Sequence, residues 1–409
     1  MNKIVKKCQI CNSNLVNFLN LGKQPLCDDL KNKPNKNKFY KLEIKFCKKC
    51  FTAFQKFNVN RKILFPKNYH YRAANTKDVL LGMKNLVDEI EKVKRNLKNK
   101  VVLDIGCNDG SLLNFFKKKK CKTYGLEPTD AYLEAKKKGH KIFNNYLDYK
   151  TSLSLKNKIK RIDVITFTNV FAHIENFKEL IKSLKNLTTK DTLIVIENHY
   201  LGEVIKKNQF DTFYHEHPRT YSLNSFYKIS SLLNLNIVKY NFVKRYNGNI
   251  RVFFQNKENL KIIKKIKKDL VKEKKLIKDI KKFQRKIDLW KFKKKKYFVE
   301  LAKKFGPIPA KAFPGRASIL INFLSLNNSN ISKIYEKDTS LKINKYAPGT
   351  NIKIVKEKFF DKKERDKKMI INLAWHISSE IKSYLKQNLK YSGKVIDIIS
   401  SKDFKWYKS

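Results

Sequence analysis

The run Val101-Val102-Leu103-Asp104-Ile105, closed by Gly106, constrains this chain more than any other stretch. A short continuous apolar run of this kind reads as a strand buried on both faces. Residues 106–110, Gly-Cys-Asn-Asp-Gly, follow it directly. The two glycines allow a sharp turn and a close approach of backbone to a ligand. Ser111–Phe116 then opens a helix, so strand, glycine turn and helix form the start of a βα unit. The alternation continues with strands at Thr123–Glu127, Asp163–Thr168 and Thr192–Glu197 and helices at Ala131–Lys138 and Lys178–Leu187. This order predicts an α/β fold, a Rossmann-like, mainly parallel sheet with helices on both faces. An amphipathic helix is expected ahead of it over 79–98, where Val79, Leu80, Met83, Leu86, Val87, Ile90 and Val93 recur at a spacing of three and four.

The chain has 409 residues, more than one domain of about 100–200 residues accounts for. Pattern divides it into a β-rich module over 1–62, the α/β core over 63–255, a Lys-rich helical connector over 256–305 and a smaller α/β domain over 306–409. In the connector an apolar stripe from Ile263 to Ile287 predicts a helix pair with a solvated face. In the last region Lys333–Tyr335, Met369–Leu373 and Lys394–Ile399 read as strands. The net charge is +56, yet only ten of the 92 basic residues are Arg and the Lys are spread over the whole length. Phosphate forks and base reading favour Arg, so the charge reads as a solvated coat that attracts anionic small molecules rather than a nucleic-acid footprint. No apolar window of about 18 residues predicts a membrane span. With no export signal at the N-terminus and seven cysteines, an odd number, the expectation is a cytoplasmic, reduced protein with bound metal.

Cys8-x-x-Cys11 and Cys47-x-x-Cys50 are two knuckles, each able to aim two thiolates at one ion. Together they make a closed tetrahedral four-sulfur site for structural Zn2+. Cys27, Cys107 and Cys121 lack paired spacing and read as small buried apolar residues. In the core, Glu127 stands at the end of the second strand, about 20 residues after the glycine loop, where an acidic group accepts ribose hydroxyls. The run Phe210-Asp211-Thr212-Phe213-Tyr214-His215-Glu216-His217 concentrates ionisable groups. A histidine titrates near neutrality and suits general-base work. From these residues alone, His215 and His217 could equally hold a metal or cap a loop.

The glycine loop and Glu127 together resemble class I S-adenosylmethionine-dependent methyltransferases. That resemblance implies that Asp104, Gly106, Asn108 and Gly110 lie against the methionine end of the cofactor, that Glu127 holds its ribose, and that Asp148 lies near its adenine. Nearly the whole chain is similar to the sugar C-methyltransferases that act on nucleotide-linked 4-keto deoxysugars. The resemblance is carried by the four cysteines, Leu21-Gly22-Lys23-Gln24-Pro25-Leu26, Asn68-Tyr69-His70-Tyr71, and Thr168-Asn169-Val170-Phe171-Ala172-His173. Glu197-Asn198-His199-Tyr200-Leu201-Gly202, Tyr214-x-Glu216-His217, Tyr346-Ala347-Pro348-Gly349-Thr350 and Ala374-Trp375-His376 carry the rest. It implies S-adenosyl-L-methionine as cofactor, Asn169 among its contacts, His217 as base with Glu216 orienting it, and Tyr214, His173 and Tyr71, or Tyr69, at the substrate. The partner implied is a nucleotide-sugar, with no nucleic acid or membrane and a monomer or weak homo-oligomer. Methylation of a sugar hydroxyl oxygen is the alternative, and a zinc-containing nucleic-acid-binding protein a weaker one. The sequence departs from the family at Arg72-Ala73-Ala74-Asn75, Tyr246-Asn247-Gly248, Phe313-Pro314-Gly315-Arg316 and His376, where substrate contacts are expected. Arg316 and Lys342 read either as phosphate ligands or as ordinary ion pairs.

Overall fold

A computed structural model describes residues 3–405, apart from the side chains of residues 3 and 276–279. The first strands are β1 (Lys3–Ile4), β2 (Val16–Pro25), β3 (Phe39–Cys47), β4 (Thr52–Gln55) and β5 (Phe57–Asn58). Alternation along β3 buries Leu42, Ile44 and Phe46 and leaves Lys41, Glu43 and Lys45 outward. β2, β3 and β4 pair antiparallel, and β1 pairs with β5.

The core follows with β6 (Val101–Ile105), β7 (Lys122–Leu126), β8 (Lys141–Phe143), β9 (Val164–Thr168), β10 (Leu193–His199), β11 (Arg219–Thr220), β12 (Asn236–Val243) and β13 (Asn249–Gln255). Seven of them form one sheet in the order β12-β13-β10-β9-β6-β7-β8. β6 to β10 run parallel, and β13 and β12 close one edge antiparallel. The chain winds outward from β6 in one direction through β7 and β8, then returns to β9 and β10 on the other side. The switch point between β6 and β9 is where open α/β sheets bind ligands at their strand ends. The helix Lys77–Lys94 buries Val79, Met83, Leu86, Val87 and Ile90 on one face. It stops short of residue 98 because Arg95 is left-handed, with φ 64°.

β11 belongs elsewhere. It pairs antiparallel with β4 and adds an edge strand to the first sheet. The core thus lends two residues to the sheet of the N-terminal module; so short a strand carries no periodic signal.

The last strands are β14 (Ile308–Lys311), β15 (Ile331–Glu336), β16 (Ile354–Lys356), β17 (Met369–Asn372) and β18 (Lys394–Asp397). They form an all-parallel sheet in the order β16-β15-β14-β17-β18. Between the two α/β sheets run the helices Leu260–Glu273 and Leu276–Phe305. Their Lys-rich face is exposed, but the other face is a core rather than a connector's stripe. Ile280, Phe283, Ile287, Trp290 and Phe298 are buried in one cluster with Phe18, Phe210 and Phe313 from three other regions. The Trp290 ring lies 5.1 Å from Phe210 and 6.2 Å from Phe404, and its Nε1–H donates to Asp403 at 3.1 Å. At about 1.5–3 kcal/mol for each large apolar side chain buried, this helix is a principal source of cohesion. Among the described residues no helix is long and apolar enough to cross a membrane.

Candidate active site

The two cysteine knuckles are the same turn used twice. In each, the residue after the second cysteine is left-handed (Asn12 and Phe51, both φ 56°), and its N–H donates to the carbonyl of the first cysteine. The four Sγ atoms of Cys8, Cys11, Cys47 and Cys50 lie within 4.8 Å of one another, with closest approaches of 3.4 and 3.5 Å. A tetrahedron with Zn–S arms of about 2.3 Å has edges of about 3.8 Å, so the cluster fits a structural Zn2+. Among the described residues this is the one group of ligand atoms that converges so closely, and the histidines of the 210–217 run do not join such a group.

The zinc module is fastened to the core at the reactive run. Thr52 Oγ1 lies 2.7 Å from Ser225 Oγ, at the N-terminus of the helix Leu223–Leu233. The Gln55 amide donates to the carbonyls of Tyr214 and His217. The module therefore holds the backbone of the loop that carries His217.

At the end of β6, Gly106, Asn108 and Gly110 are all left-handed, with φ 70°, 52° and 77°. A Cβ on Gly106 would come within 2.6 Å of Val170, and one on Gly110 within 2.9 Å of Ala135 and His140. Asp104 is buried and accepts from Thr166 Oγ1 at 2.7 Å. Burial pushes its carboxyl up to about 7. Glu127 is buried at the end of β7 and accepts from Asn108 N and Thr129 N, both at 2.9 Å, and from Thr129 Oγ1 at 2.6 Å. Burial raises its carboxyl despite these donors. Segment 71–75 lies over the loop: Ala73 N donates to Asn108 Oδ1, Ala74 N to Asp109 Oδ2, and Asn108 Nδ2 to the Tyr71 carbonyl. Asp148 caps the helix Tyr149–Lys158 by accepting from Thr151 N at 2.8 Å, and Arg61 lies 3.7 Å from it. The structure gives that carboxylate a local structural task.

On the other side of the switch point the side chains are buried and polar, and several lack partners. Thr168 Oγ1, Asn169 Nδ2, His173 Nε2, Asn198 Oδ1, His199 Nδ1, Asn249 Oδ1 and His376 Nδ1 have none. Unpaired buried polar atoms cost about 1–3 kcal/mol each, and so many at the ends of β9, β10 and β13 mark a place built for a polar ligand. These groups, with Glu127 and the left-handed loop, fit S-adenosylmethionine, which presents ribose hydroxyls, an ammonium and a carboxylate.

His217 lies in the middle of this region. Its ring stacks on His173 at 5.0 Å and stands 5.3 Å from His199 and 4.1 Å from Tyr214. Its Nδ1 lies 2.9 Å from the Thr212 carbonyl. That bond requires a proton on Nδ1 and leaves Nε2 as an acceptor. Burial and then the nearby Arg316 charge push the imidazole down to about 4, so it is neutral at physiological pH. His199, Tyr246 and Tyr71 continue the wall: His199 is 5.5 Å from the Tyr246 ring, whose hydroxyl is 3.4 Å from that of Tyr71.

Two expectations change here. Glu216 does not orient His217; the Thr212 carbonyl does, while the Glu216 carboxyl points to the Tyr69 hydroxyl at 3.1 Å. The His217 N–H donates to the Tyr214 carbonyl at 2.8 Å, and in this turn the neighbouring side chains diverge, so adjacency in sequence misleads. His215 turns away as well, its ring edge-on to Tyr40 at 5.8 Å. Arg316 is neither a phosphate ligand nor a surface pair. It is buried in a two-pronged bond to Asp211 at 2.7 and 2.8 Å and donates to Thr212 Oγ1 at 2.9 Å. Trp375 Nε1 donates to the same carboxylate at 2.8 Å. The last domain thereby grips the turn that sets the His217 tautomer. Asp28, Asp211, Thr212 and Asn249 were not singled out as site residues by sequence. Of these, only Asp211 and Thr212 stood within a run whose density of ionisable groups signalled function.

Three family models match in succession: "Putative zinc binding domain" over residues 8–65, "Methyltransferase domain" over 79–240 and "C-methyltransferase C-terminal domain" over 245–399. The chain is 23% identical over 254 residues to the C-methyltransferase NovU of Streptomyces niveus, a match spanning 61% of this chain and 60% of that protein. Similar solved structures include a SAM dependent methyltransferase from Archaeoglobus fulgidus (15% identity, 42% of this chain and 93% of that one, TM-score 0.35). Another is the magnesium protoporphyrin IX methyltransferase of Synechocystis PCC 6803 with bound SAH (15% identity, 44% and 85%, TM-score 0.33). Sheet order, glycine loop and the match over 79–240 agree in making this part of the chain a methyltransferase domain. It stands between a segment that matches a zinc-binding domain and one that matches a C-methyltransferase C-terminal domain.

Proposed function

We propose that this protein transfers a methyl group from S-adenosylmethionine to a carbon atom beside the ketone of a nucleotide-linked keto-deoxysugar, for a surface polysaccharide or other glycoconjugate. The observation that carries the reading is His217: a buried, neutral imidazole with Nδ1–H spent on a backbone carbonyl and Nε2 left to accept a proton, among polar groups without partners. A ketone acidifies the neighbouring C–H. His217 Nε2 takes that proton, and the charge moves to the ketone oxygen, where hydrogen-bond donors must meet it. Tyr214 and His173, flanking the imidazole, are assigned to that oxygen and the sugar hydroxyls, with Tyr71 at the entrance. The bound cofactor supplies an electrophilic methyl on a positive sulfur and leaves as a neutral thioether. Asp104, Gly106, Asn108, Gly110, Glu127 and Asn169 are assigned to its binding, and their task is alignment. The same reading has a cytoplasmic enzyme, a monomer or weak homo-oligomer, dividing near residues 62, 255 and 305. Incubation with S-adenosylmethionine and a panel of nucleotide-linked 4-keto deoxysugars tests it. A methylated sugar with a new C–C bond by NMR is expected; a new O–CH3 bond, or no product across the panel, overturns carbon methylation.

A further inference from the structure

Asp28 follows β2 in the N-terminal module, far in sequence from the reactive run, yet its carboxylate shares one hydroxyl with Glu216. The Tyr69 hydroxyl lies 3.1 Å from Asp28 Oδ2 and 3.1 Å from Glu216 Oε2. A phenol has one proton to give. It can donate to one carboxylate, and to bond the other it must accept, so one of the two carboxyl groups has to carry a proton. The surroundings decide which. Asp28 has His70 Nε2 at 3.4 Å, and Lys342, which donates to the Phe313 carbonyl at 2.6 Å, adds positive charge beside it. Glu216 is only 4% exposed. Two buried carboxylates this close do not both ionise.

We infer that Asp28, acting through the Tyr69 hydroxyl, is a positioning residue that holds Glu216 as a neutral carboxylic acid beside the His217 base, so that Glu216 donates a hydrogen bond to the oxyanion forming on the substrate. The order of bonds is Glu216 O–H to Tyr69 oxygen, and Tyr69 O–H to the Asp28 carboxylate, until substrate takes the Glu216 proton's bond. The inference rests on the proposed keto-sugar chemistry for its purpose, but not for the protonation itself. A continuous chain of rings joins the two groups across the site: Tyr69 lies 5.6 Å from Phe65, Phe65 stacks on His173 at 5.2 Å, and His173 stacks on His217 at 5.0 Å. Burial and then the Asp28 charge push the Glu216 carboxyl well above its usual range. For Asp28, burial is outweighed by His70, Lys342 and Tyr69, which hold it below its usual value. The groups around the pair are Cys27, Tyr69, His70, Tyr214 and Lys342. One loop then carries an acid and a base whose environments push their titrations in opposite senses, an arrangement typical of acid–base sites.

Infrared spectroscopy of the full-length zinc-loaded protein reads this directly. The wild type is expected to show a carboxylic-acid C=O band at neutral pH that shifts in heavy water and disappears in E216Q. In D28N the same band should titrate away at a pH lower by ~1 unit or more, since a like charge has been removed. The alkaline limb of kcat should move down with it, while KM changes little. A neutral-pH spectrum unchanged by E216Q overturns the inference, as does a band that D28N leaves in place; should D28N fail to fold, the E216Q comparison still decides. A band that behaves as expected in a protein methylating no keto sugar would sink the proposed reaction and leave the protonation standing.

Discussion

The two α/β sheets are wound alike and finished differently. Both place their first strand in the middle, take two strands to one side and then return to the other, β6 among β7, β8, β9 and β10 and β14 among β15, β16, β17 and β18. In the core sheet the strand ends at the switch point are left open. They carry the left-handed loop 106–110, Glu127, and the unpartnered Thr168, Asn169, Asn198 and His199. In the C-terminal sheet the equivalent ends are filled from within. Lys311 pairs with Glu357, Asn372 Nδ2 donates to Asp397 at 2.7 Å, and Ser378 Oγ donates to the same carboxylate at 2.8 Å. What the second sheet sends outward instead, Arg316, Trp375 and His376, reaches the core's site. The winding makes a crevice in either sheet, and side chains decide whether it binds a ligand or closes on itself.

This contrast can be broken or sharpened by substitution, beginning with the largest effect. His217→Ala is expected to lower kcat by ~10²–10⁴-fold, the usual worth of a positioned base, and to leave binding of S-adenosylhomocysteine unchanged by calorimetry. Arg316→Met should strand the buried Asp211 carboxylate and cost about 3–5 kcal/mol in denaturant unfolding. A neutral result there would mean that the second sheet does not grip the first through this pair. Glu127→Ala should weaken S-adenosylhomocysteine binding by about 1–3 kcal/mol, whereas Asp397→Asn, at the filled switch point, should leave it unchanged. Weakened binding in Asp397→Asn would erase the distinction between the sheets.

The smallest effect is one of pH. Burial depresses His217 to about 4, so the acid limb of kcat/KM should fall well below the ordinary histidine value of 6.5. Stability follows the same sign. His173, His199, His217 and His376 are all held neutral, chiefly by burial. The unfolded chain binds more protons below 6.5, so their contribution is whole above that pH and is lost as pH falls toward the depressed folded values. The denaturant midpoint should drop over that window, and less so in H217A.

What sequence revealed of this site was local. The β6 run, the glycine loop, Glu127 and the two cysteine knuckles are each defined by residues within a few positions, and pattern finds them. The Asp148 cap was equally legible, since an Asp three residues before Thr151 at the start of a helix is a capping arrangement. The Arg316 bond to Asp211 spans 105 residues and the Tyr69 bond to Glu216 spans 147, and no periodicity encodes either. The helix Leu276–Phe305 shows the same limit: its Lys-rich composition masks Trp290, whose burial depends on elements before and after it.

Solvent deuterium exchange tests the reading of the crevice most directly. With a nucleotide-linked 4-keto deoxysugar and S-adenosylhomocysteine, the wild-type protein should wash deuterium into the carbon beside the ketone. H217A should not, although it still binds both ligands. Exchange that proceeds equally in H217A, or none in the wild type with both ligands bound, would contradict a base at residue 217.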